Sequence, residues 1–253
     1  MILTRFPINR TRRATRQMLS SPYRLHAAVA GSFPAWSTPE LQSRTLWRVD
    51  LEPAGPAWLY ILSENEPSLV GLDEQIGFPD RPPTWQSRPY DKLLSRLAPD
   101  QLWSFRLVAN PVRTLTRSRQ AETDGASGKR VGHVTSRQQA SWLIGPTAYA
   151  GCDPEDVPTG LPRFNDTRAT RNGFDVVLDD LGCPKLVVSD RRRLDLRKPD
   201  STKPITLVTA RFDGVLRVTD VDRLRHALTH GIGHAKAFGC GLLTLAPLSA
   251  VSP

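Results

Sequence analysis

The chain has 253 residues, of which 39% are hydrophobic and 23% charged, a composition that excludes a disordered chain and suits one large domain or two ordinary ones. No apolar run approaches the roughly 20 residues that a membrane-spanning helix needs, and the three widely spaced cysteines predict neither a disulfide framework nor a metal cluster. Lys and Arg number 34 against 25 Asp and Glu, so the net charge of +9 predicts a polyanionic partner, unless the protein is simply basic. We expect a cytoplasmic protein without membrane contact, metal or other cofactor.

The first half of the chain is predicted to follow the order β-α-β-β-α-β of one ferredoxin-like unit, ending near residue 114. Alternating apolar residues predict its strands, and Ser20 or Ser21 before Pro22 predicts the start of its first helix. Residues 64–87 are rich in Pro, Gly and acidic side chains and are predicted to form a loop. The predicted strands cover 2–9, 45–51, 57–63 and 102–108, and the predicted helices cover 22–33 and 88–97.

The second half again yields strands and two helices in a ferredoxin-like order. Asp213-Gly214 is a typical hairpin turn and predicts separate strands on its two sides. The predicted strands cover 130–135, 174–179, 186–189, 194–197, 205–212, 214–218 and 242–248, and the predicted helices cover 136–148 and 220–230. The predicted fold class is therefore α+β, with two tandem ferredoxin-like (RRM-like) β-α-β-β-α-β domains over residues 1–114 and 115–253.

The first predicted helix carries a tyrosine and a histidine on one face. On a helical wheel, Tyr23 and His26 lie one turn apart, away from the apolar side formed by Leu25 and Val29. Such neighbours can present polar groups to one point outside the helix, and histidine is well suited to exchange a proton near neutral pH. A lone histidine is more often structural or merely exposed, and that interpretation stays open.

A glycine-rich loop near the end of the chain is the strongest candidate for phosphate binding. Four glycines surround one lysine in this stretch: Gly231, Gly233, Lys236, Gly239 and Gly241. Successive backbone N–H groups in such a loop favour an anion, and the lysine adds a positive charge. The stretch is not a P-loop, and it follows a helix, whereas a dinucleotide fingerprint follows a strand. A glycine C-cap followed by a loose loop is the alternative.

A basic cluster in the second half is a further candidate. It comprises Arg191, Arg192, Arg193 and Arg197. On a projecting hairpin these arginines can follow the phosphates of an RNA duplex, which is recognised mainly by shape and backbone. A solvated surface without a ligand is the alternative.

Three segments in order resemble the CasE family, the endoribonucleases that process precursor RNA in type I-E CRISPR systems. Residues 231–248 resemble the family's glycine-rich loop, G-I-G-x-A-K-x-x-G-C-G-L-L-(T/S)-L-A-P-L. Residues 23–26 resemble its Y-x-L-H, which carries the catalytic histidine, and residues 105–111 resemble its F-R-L-x-A-N-P. The resemblance implies two tandem ferredoxin-like domains and an arginine-bearing hairpin. It also implies three partners: the CRISPR repeat stem-loop, the mature guide RNA and the other subunits of the Cascade complex.

The resemblance and the residues together predict RNA cleavage without a metal, by attack of the 2′-OH on the adjacent phosphate. His26 is expected to act as general acid or base, and Tyr23 to orient the scissile phosphate. Lys236 and the loop glycines are expected to hold backbone phosphates and to stabilise the developing charge. A non-catalytic tandem RRM-like RNA-binding subunit is the alternative, and a structural subunit with a decayed active site is a third interpretation.

Overall fold

The computed structural model describes residues 1–34, 45–52, 57–82, 85–114, 130–145, 166–196 and 205–248. The first sheet consists of β1 (Ile2–Ile8), β2 (Leu46–Leu51), β3 (Ala57–Ser63) and β4 (Gln86–Pro89). The helices of this half are α1 (Arg13–Leu19), α2 (Pro22–Ala30), α3 (Val70–Ile76) and α4 (Asp91–Leu94). The antiparallel strands are arranged in the order β2-β3-β1-β4, which is that of a ferredoxin-like unit.

The second sheet consists of β5 (Leu102–Ala109), β8 (Phe174–Val176), β9 (Leu186–Leu196), β10 (Ile205–Val218) and β11 (Leu243–Ala246). A separate ribbon pairs β6 (Val112–Thr114) with β7 (Arg130–Gly132). The helices of this half are α5 (Ser136–Ile144), α6 (Arg168–Arg171) and α7 (Val221–His230), followed by a 3-10 turn, Lys236–Phe238. Strand β5 lies between β11 and β10, and β10 also pairs with β9 and β8. The order β11-β5-β10-β9 repeats the ferredoxin-like arrangement, which confirms the predicted fold class.

The predicted place of residues 102–108 in the first sheet is wrong. This segment is β5, the first strand of the second sheet, where Leu107 pairs with Phe212 and Leu243. The fourth strand of the first sheet is β4, a short and mostly exposed strand ending in Pro89. An exposed edge strand has no alternating apolar residues by which to predict it. Helix α3 was also missed, because it lies in the predicted loop 64–87. The two sheets therefore divide the chain between Pro89 and Leu102, not at residue 114.

The predicted hairpin at Asp213-Gly214 is also wrong, because β10 continues through both residues. Gly214 is needed for close packing in mid-strand, since a Cβ there would lie 2.4 Å from the Lys185 carbonyl oxygen. Residues 186–189 and 194–197 were predicted as a hairpin or as one strand and its continuation. They belong to the single strand β9, apart from Arg197, which lies outside the described residues.

The buried apolar side chains form two clusters, one mainly on the first sheet and one mainly on the second. Phe6 is fully buried in the first cluster, where Leu25 and Val29 attach α2 to the sheet. Leu107 and Phe212 are fully buried in the second. None of the described helices is both long and apolar enough to cross a bilayer.

Candidate active site

Helix α2 presents Tyr23 and His26 on the side away from the first core. Ser21 begins the helix, its side chain accepting a backbone hydrogen bond from the first turn at 3.4 Å. Leu25 and Val29 are buried, His26 is exposed and Tyr23 is half-buried. The predicted orientation of the helix is confirmed, and the imidazole is accessible to a ligand.

The glycine-rich loop connects α7 to β11 and is anchored at both ends. Gly231 follows the last residue of α7, and its N–H donates to the Ala227 carbonyl of that helix at 2.9 Å. The Ile232 N–H donates to the Gly241 carbonyl at 2.9 Å, which closes the loop at its base. The Gly241 N–H donates to the Val108 carbonyl of β5 at 2.7 Å. The loop is therefore a closed ring fixed to the second sheet, and not the loose segment of the alternative interpretation.

Gly239 shows that the glycines also serve packing. It has a φ of +79°, and a Cβ added to it would lie 2.6 Å from Cζ3 of Trp47 on β2. A side chain at this position would therefore push the loop away from the first sheet. The requirement for glycine here comes from a positive φ and a close aromatic neighbour, in addition to any approach of a phosphate.

The predicted catalytic helix and the predicted phosphate loop meet through two aromatic rings. The ring of Phe238, in the 3-10 turn, lies 5.0 Å from the ring of Tyr23 at an interplanar angle of 84°. Such an edge-to-face pair is a favourable aromatic contact. The Tyr23 hydroxyl is buried and has no hydrogen-bond partner among the residues that the structure describes. Segments far apart in the sequence thus meet at one candidate site.

Lys236 begins the same 3-10 turn. Its side chain is half-buried, and its Cγ would lie 3.2 Å from a Cβ added to Gly241. The aliphatic stem therefore passes over the base of the loop. The turn that carries this lysine also packs against α2, on which His26 is located.

Arg48, which the sequence analysis missed, holds the far end of the loop against the first sheet. It lies on β2, is only 2% exposed, and forms two hydrogen bonds with Asp50 at 2.7 and 3.0 Å. It also donates to the carbonyl of Leu242 at 3.0 Å and to Oγ1 of Thr244 at 2.9 Å. Because Leu242 directly follows the loop, this buried arginine fixes where the loop ends.

A second arginine extends this connection between the sheets. Arg106 on β5 binds Asp213 at 2.5 Å and Glu52 at 2.8 Å. Burial lowers the pKa of Arg106, but the hydrogen bonds with both carboxylates outweigh burial and raise it overall. The carboxylates and arginines at this junction therefore neutralise one another, and the junction is structural.

The basic cluster lies on a different element from the loop. Arg191, Arg192 and Arg193 are exposed on β9, and Arg192 binds Asp190 at 2.8 Å. The register with β10 shifts beside these residues, which marks a β-bulge. Their exposure fits the predicted contact with a ligand, while the role of Arg197 stays a prediction outside the described residues.

Among the described residues, His226, His230 and Cys240 do not form a second catalytic site. His226 and His230 stack with ring centroids 4.0 Å apart, and the described residues contain no group of three potential metal ligands. Burial raises the pKa of the Cys240 thiol to about 12, so this cysteine is not a thiolate nucleophile near neutral pH. Cys183 is disulfide-bonded, although the wide spacing of the cysteines predicted no disulfide framework.

Tandem ferredoxin-like units with a Tyr–His helix against a glycine-rich loop fit the class of RNA-processing proteins that the sequence segments resemble. A family model described as "CRISPR associated protein" matches residues 1–247, and the chain belongs to that family. The CRISPR-associated endoribonuclease Cse3 of Thermus thermophilus is 29% identical, over 98% of this chain and all of its own length. The Cascade subunit CasE of Escherichia coli K12 is 52% identical over 57% of each chain. The predicted family is confirmed.

A solved structure supports the same assignment. Thermus thermophilus Cse3 bound to an RNA representing a pre-cleavage complex is similar to this chain with a TM-score of 0.71 and 26% identity. The match covers 97% of this chain and 98% of that one. The similarity therefore extends over both ferredoxin-like units.

Proposed function

We propose that this protein is an endoribonuclease that binds the stem-loop of a CRISPR repeat and cuts the precursor RNA without a metal. The observation that carries the proposal is the packing of Tyr23 on Phe238, which holds the His26 helix against the Lys236 turn. A relative covering nearly the whole chain is named an endoribonuclease, and a similar structure is a pre-cleavage complex with RNA.

The reaction uses a nucleophile that the RNA itself supplies. The 2′-oxygen loses its proton and bonds to the adjacent phosphorus, while the bond from phosphorus to the 5′-oxygen breaks. The leaving 5′-oxygen takes up a proton, so the products are a cyclic phosphate and a 5′-hydroxyl. His26 is exposed on α2 and serves one of these proton transfers.

The loop and the tyrosine supply position and charge. The backbone N–H groups of the glycine-rich loop and the ammonium of Lys236 stabilise the negative charge that builds up on the phosphorane. The Tyr23 hydroxyl lacks a partner among the described residues, and a buried hydroxyl without one is unfavourable by about 1–3 kcal/mol. A phosphate oxygen of the bound RNA is the partner that we propose for it.

The proposed partners follow from the relatives. CasE is named a Cascade subunit, and we propose that this chain likewise retains the mature guide RNA and joins the other Cascade subunits. We also propose that the protein works in the cytoplasm, where it would meet the precursor RNA.

Cleavage of a labelled repeat stem-loop in EDTA tests the proposal. We expect the wild type to cut, and His26→Ala to lose at least about a hundredfold in rate, the usual contribution of general acid–base catalysis. A 2′-deoxy substitution at the scissile nucleotide should abolish cleavage while binding persists.

His226→Ala is the matched control, because it removes an exposed histidine from a different helix. It should cut at the wild-type rate. Normal cleavage by His26→Ala would refute the assigned acid–base role. A wild-type protein that binds the hairpin but never cuts it would support the non-catalytic binding subunit instead.

A further inference from the structure

Arg168 carries a positive charge that no described carboxylate neutralises. It lies in α6, and its guanidinium stacks over the ring of Trp142, 4.3 Å from the ring centre. Its Nε is buried, and no hydrogen-bond acceptor for it lies within the described part of the chain. A polar N–H that is buried in this way is unfavourable unless a ligand supplies the acceptor.

The next arginine of α6 is in a different position. Arg171 is exposed and forms two hydrogen bonds with the carboxylate of Asp166, at 2.5 and 2.8 Å. Burial, and then repulsion from Arg171, lower the pKa of Arg168. Within the described part of the chain, the exposed arginine thus has an anionic partner and the half-buried arginine has none.

Trp142 connects Arg168 to the glycine-rich loop. The edge of its indole meets Gly233, where an added Cβ would lie 3.1 Å from Cζ2 of the ring. Phe212 of β10 packs against the same indole with ring centroids 5.8 Å apart, so the ring is held from the core side. The guanidinium of Arg168 and the predicted phosphate-binding loop therefore contact the same indole.

We infer that Arg168 binds a backbone phosphate of the RNA next to the phosphates held by the glycine-rich loop. A guanidinium fork matches two phosphate oxygens, and stacking on an indole fixes its orientation before the ligand arrives. A protein carboxylate would offer similar oxygens, but the net charge of +9 and the adjacent loop favour the RNA backbone. The inference rests on the proposed function and adds a contact to its substrate site.

The salt dependence of RNA binding distinguishes a phosphate contact from a purely structural role. Each neutralised phosphate releases counterions, so losing one contact lowers the slope of log affinity against log salt by about one. The measurement uses the full chain and a repeat hairpin made uncleavable by a 2′-deoxy scissile nucleotide, titrated between about 50 and 200 mM salt.

We expect Arg168→Ala to weaken binding about tenfold and to reduce the slope by about one, as loss of a charge-assisted hydrogen bond implies. Arg168→Lys should keep the slope and lose part of the affinity, because a lysine retains the charge without the fork. Arg171→Ala is the matched control on the same helix and should change neither quantity. Arg168→Gln replaces Arg168→Ala if a melting curve shows that the alanine variant does not fold.

Wild-type affinity and slope in a folded Arg168→Ala or Arg168→Gln variant would overturn the inference while leaving the proposed function intact. An equal loss in Arg171→Ala would also overturn it, because the effect would then be general to the surface charge. A wild-type protein that binds no repeat hairpin would overturn both this inference and the proposed function.

Discussion

Gly239 is the residue at which the glycine-rich loop packs against Trp47 of the first sheet. Gly239→Ala should destabilise the protein by roughly 2 kcal/mol or more, because a Cβ would combine a strained positive φ with a clash against Trp47. Urea unfolding followed by tryptophan fluorescence measures the free energy of unfolding.

Gly182 provides a control with the same backbone conformation. Its φ is also +79°, but no atom lies within 4 Å of an added Cβ. Gly182→Ala should therefore report only the backbone strain, about 1–2 kcal/mol. If the two variants lose equal stability, the contact with Trp47 is unimportant.

Strand β9 places its three described basic-cluster residues on two faces. Arg192 lies opposite Thr209 and Arg193 opposite Val208, and the bulge leaves Arg191 opposite Ala210. Arg191 and Arg193 therefore share one face, while Arg192 lies on the other and binds Asp190. We expect the double variant Arg191→Ala/Arg193→Ala to bind a repeat hairpin several-fold more weakly, and Arg192→Ala to bind nearly as wild type. Gel-shift titration measures both affinities.

The reverse order of effects would show that the RNA lies on the Arg192 face. Equal, small effects in both variants would support the solvated-surface interpretation of the cluster.

The elements differ in how far the sequence could predict them. Helix α2 was predictable because its apolar residues Leu25 and Val29 recur at helical spacing, which leaves Tyr23 and His26 on another face. The pattern of β5 predicted a strand but not its sheet, since Phe105 and Leu107 are apolar whichever core receives them. Strand β4 has no apolar alternation because it is an exposed edge, and only pairing with β1 identifies it.

The site was partly predictable for a related reason. The loop glycines with Lys236, and Tyr23 with His26, could be predicted from their residue types and spacing. The family resemblance indicated that the two groups belong to one site. Arg48 and Asp50 alternate on β2 as solvent-facing residues would, so their burial against another sheet leaves no local signal. Arg168 and Trp142 likewise depend on a contact between α6 and α5 that no sequence period encodes.

At the scale of the whole molecule, Arg48 and Asp50 join the two ferredoxin-like units. Arg48→Met should destabilise the protein by about 3–5 kcal/mol, because it leaves Asp50 as a buried charge without its main partner. Urea unfolding measures the loss, and a parallel cleavage assay shows whether the loop has shifted.

The double variant Arg48→Met/Asp50→Leu separates the burial of charge from the loss of hydrogen bonds to the loop. It should regain much of the stability of the single variant, since paired buried charges can often be replaced by apolar side chains. Cleavage should remain impaired, because the carbonyl of Leu242 would still lack its donor. Recovery of both properties would show that Arg48 does not position the loop.

The contact between Tyr23 and Phe238 has a consequence for the timing of activity during synthesis. In a growing chain the histidine helix is translated well before the turn whose Phe238 contacts it. A chain that has not yet reached Phe238 therefore holds only half of the proposed site, and we expect it to cut no RNA. The two halves of the proposed site can meet only after β11 has paired with β5 and fixed the loop to the second sheet.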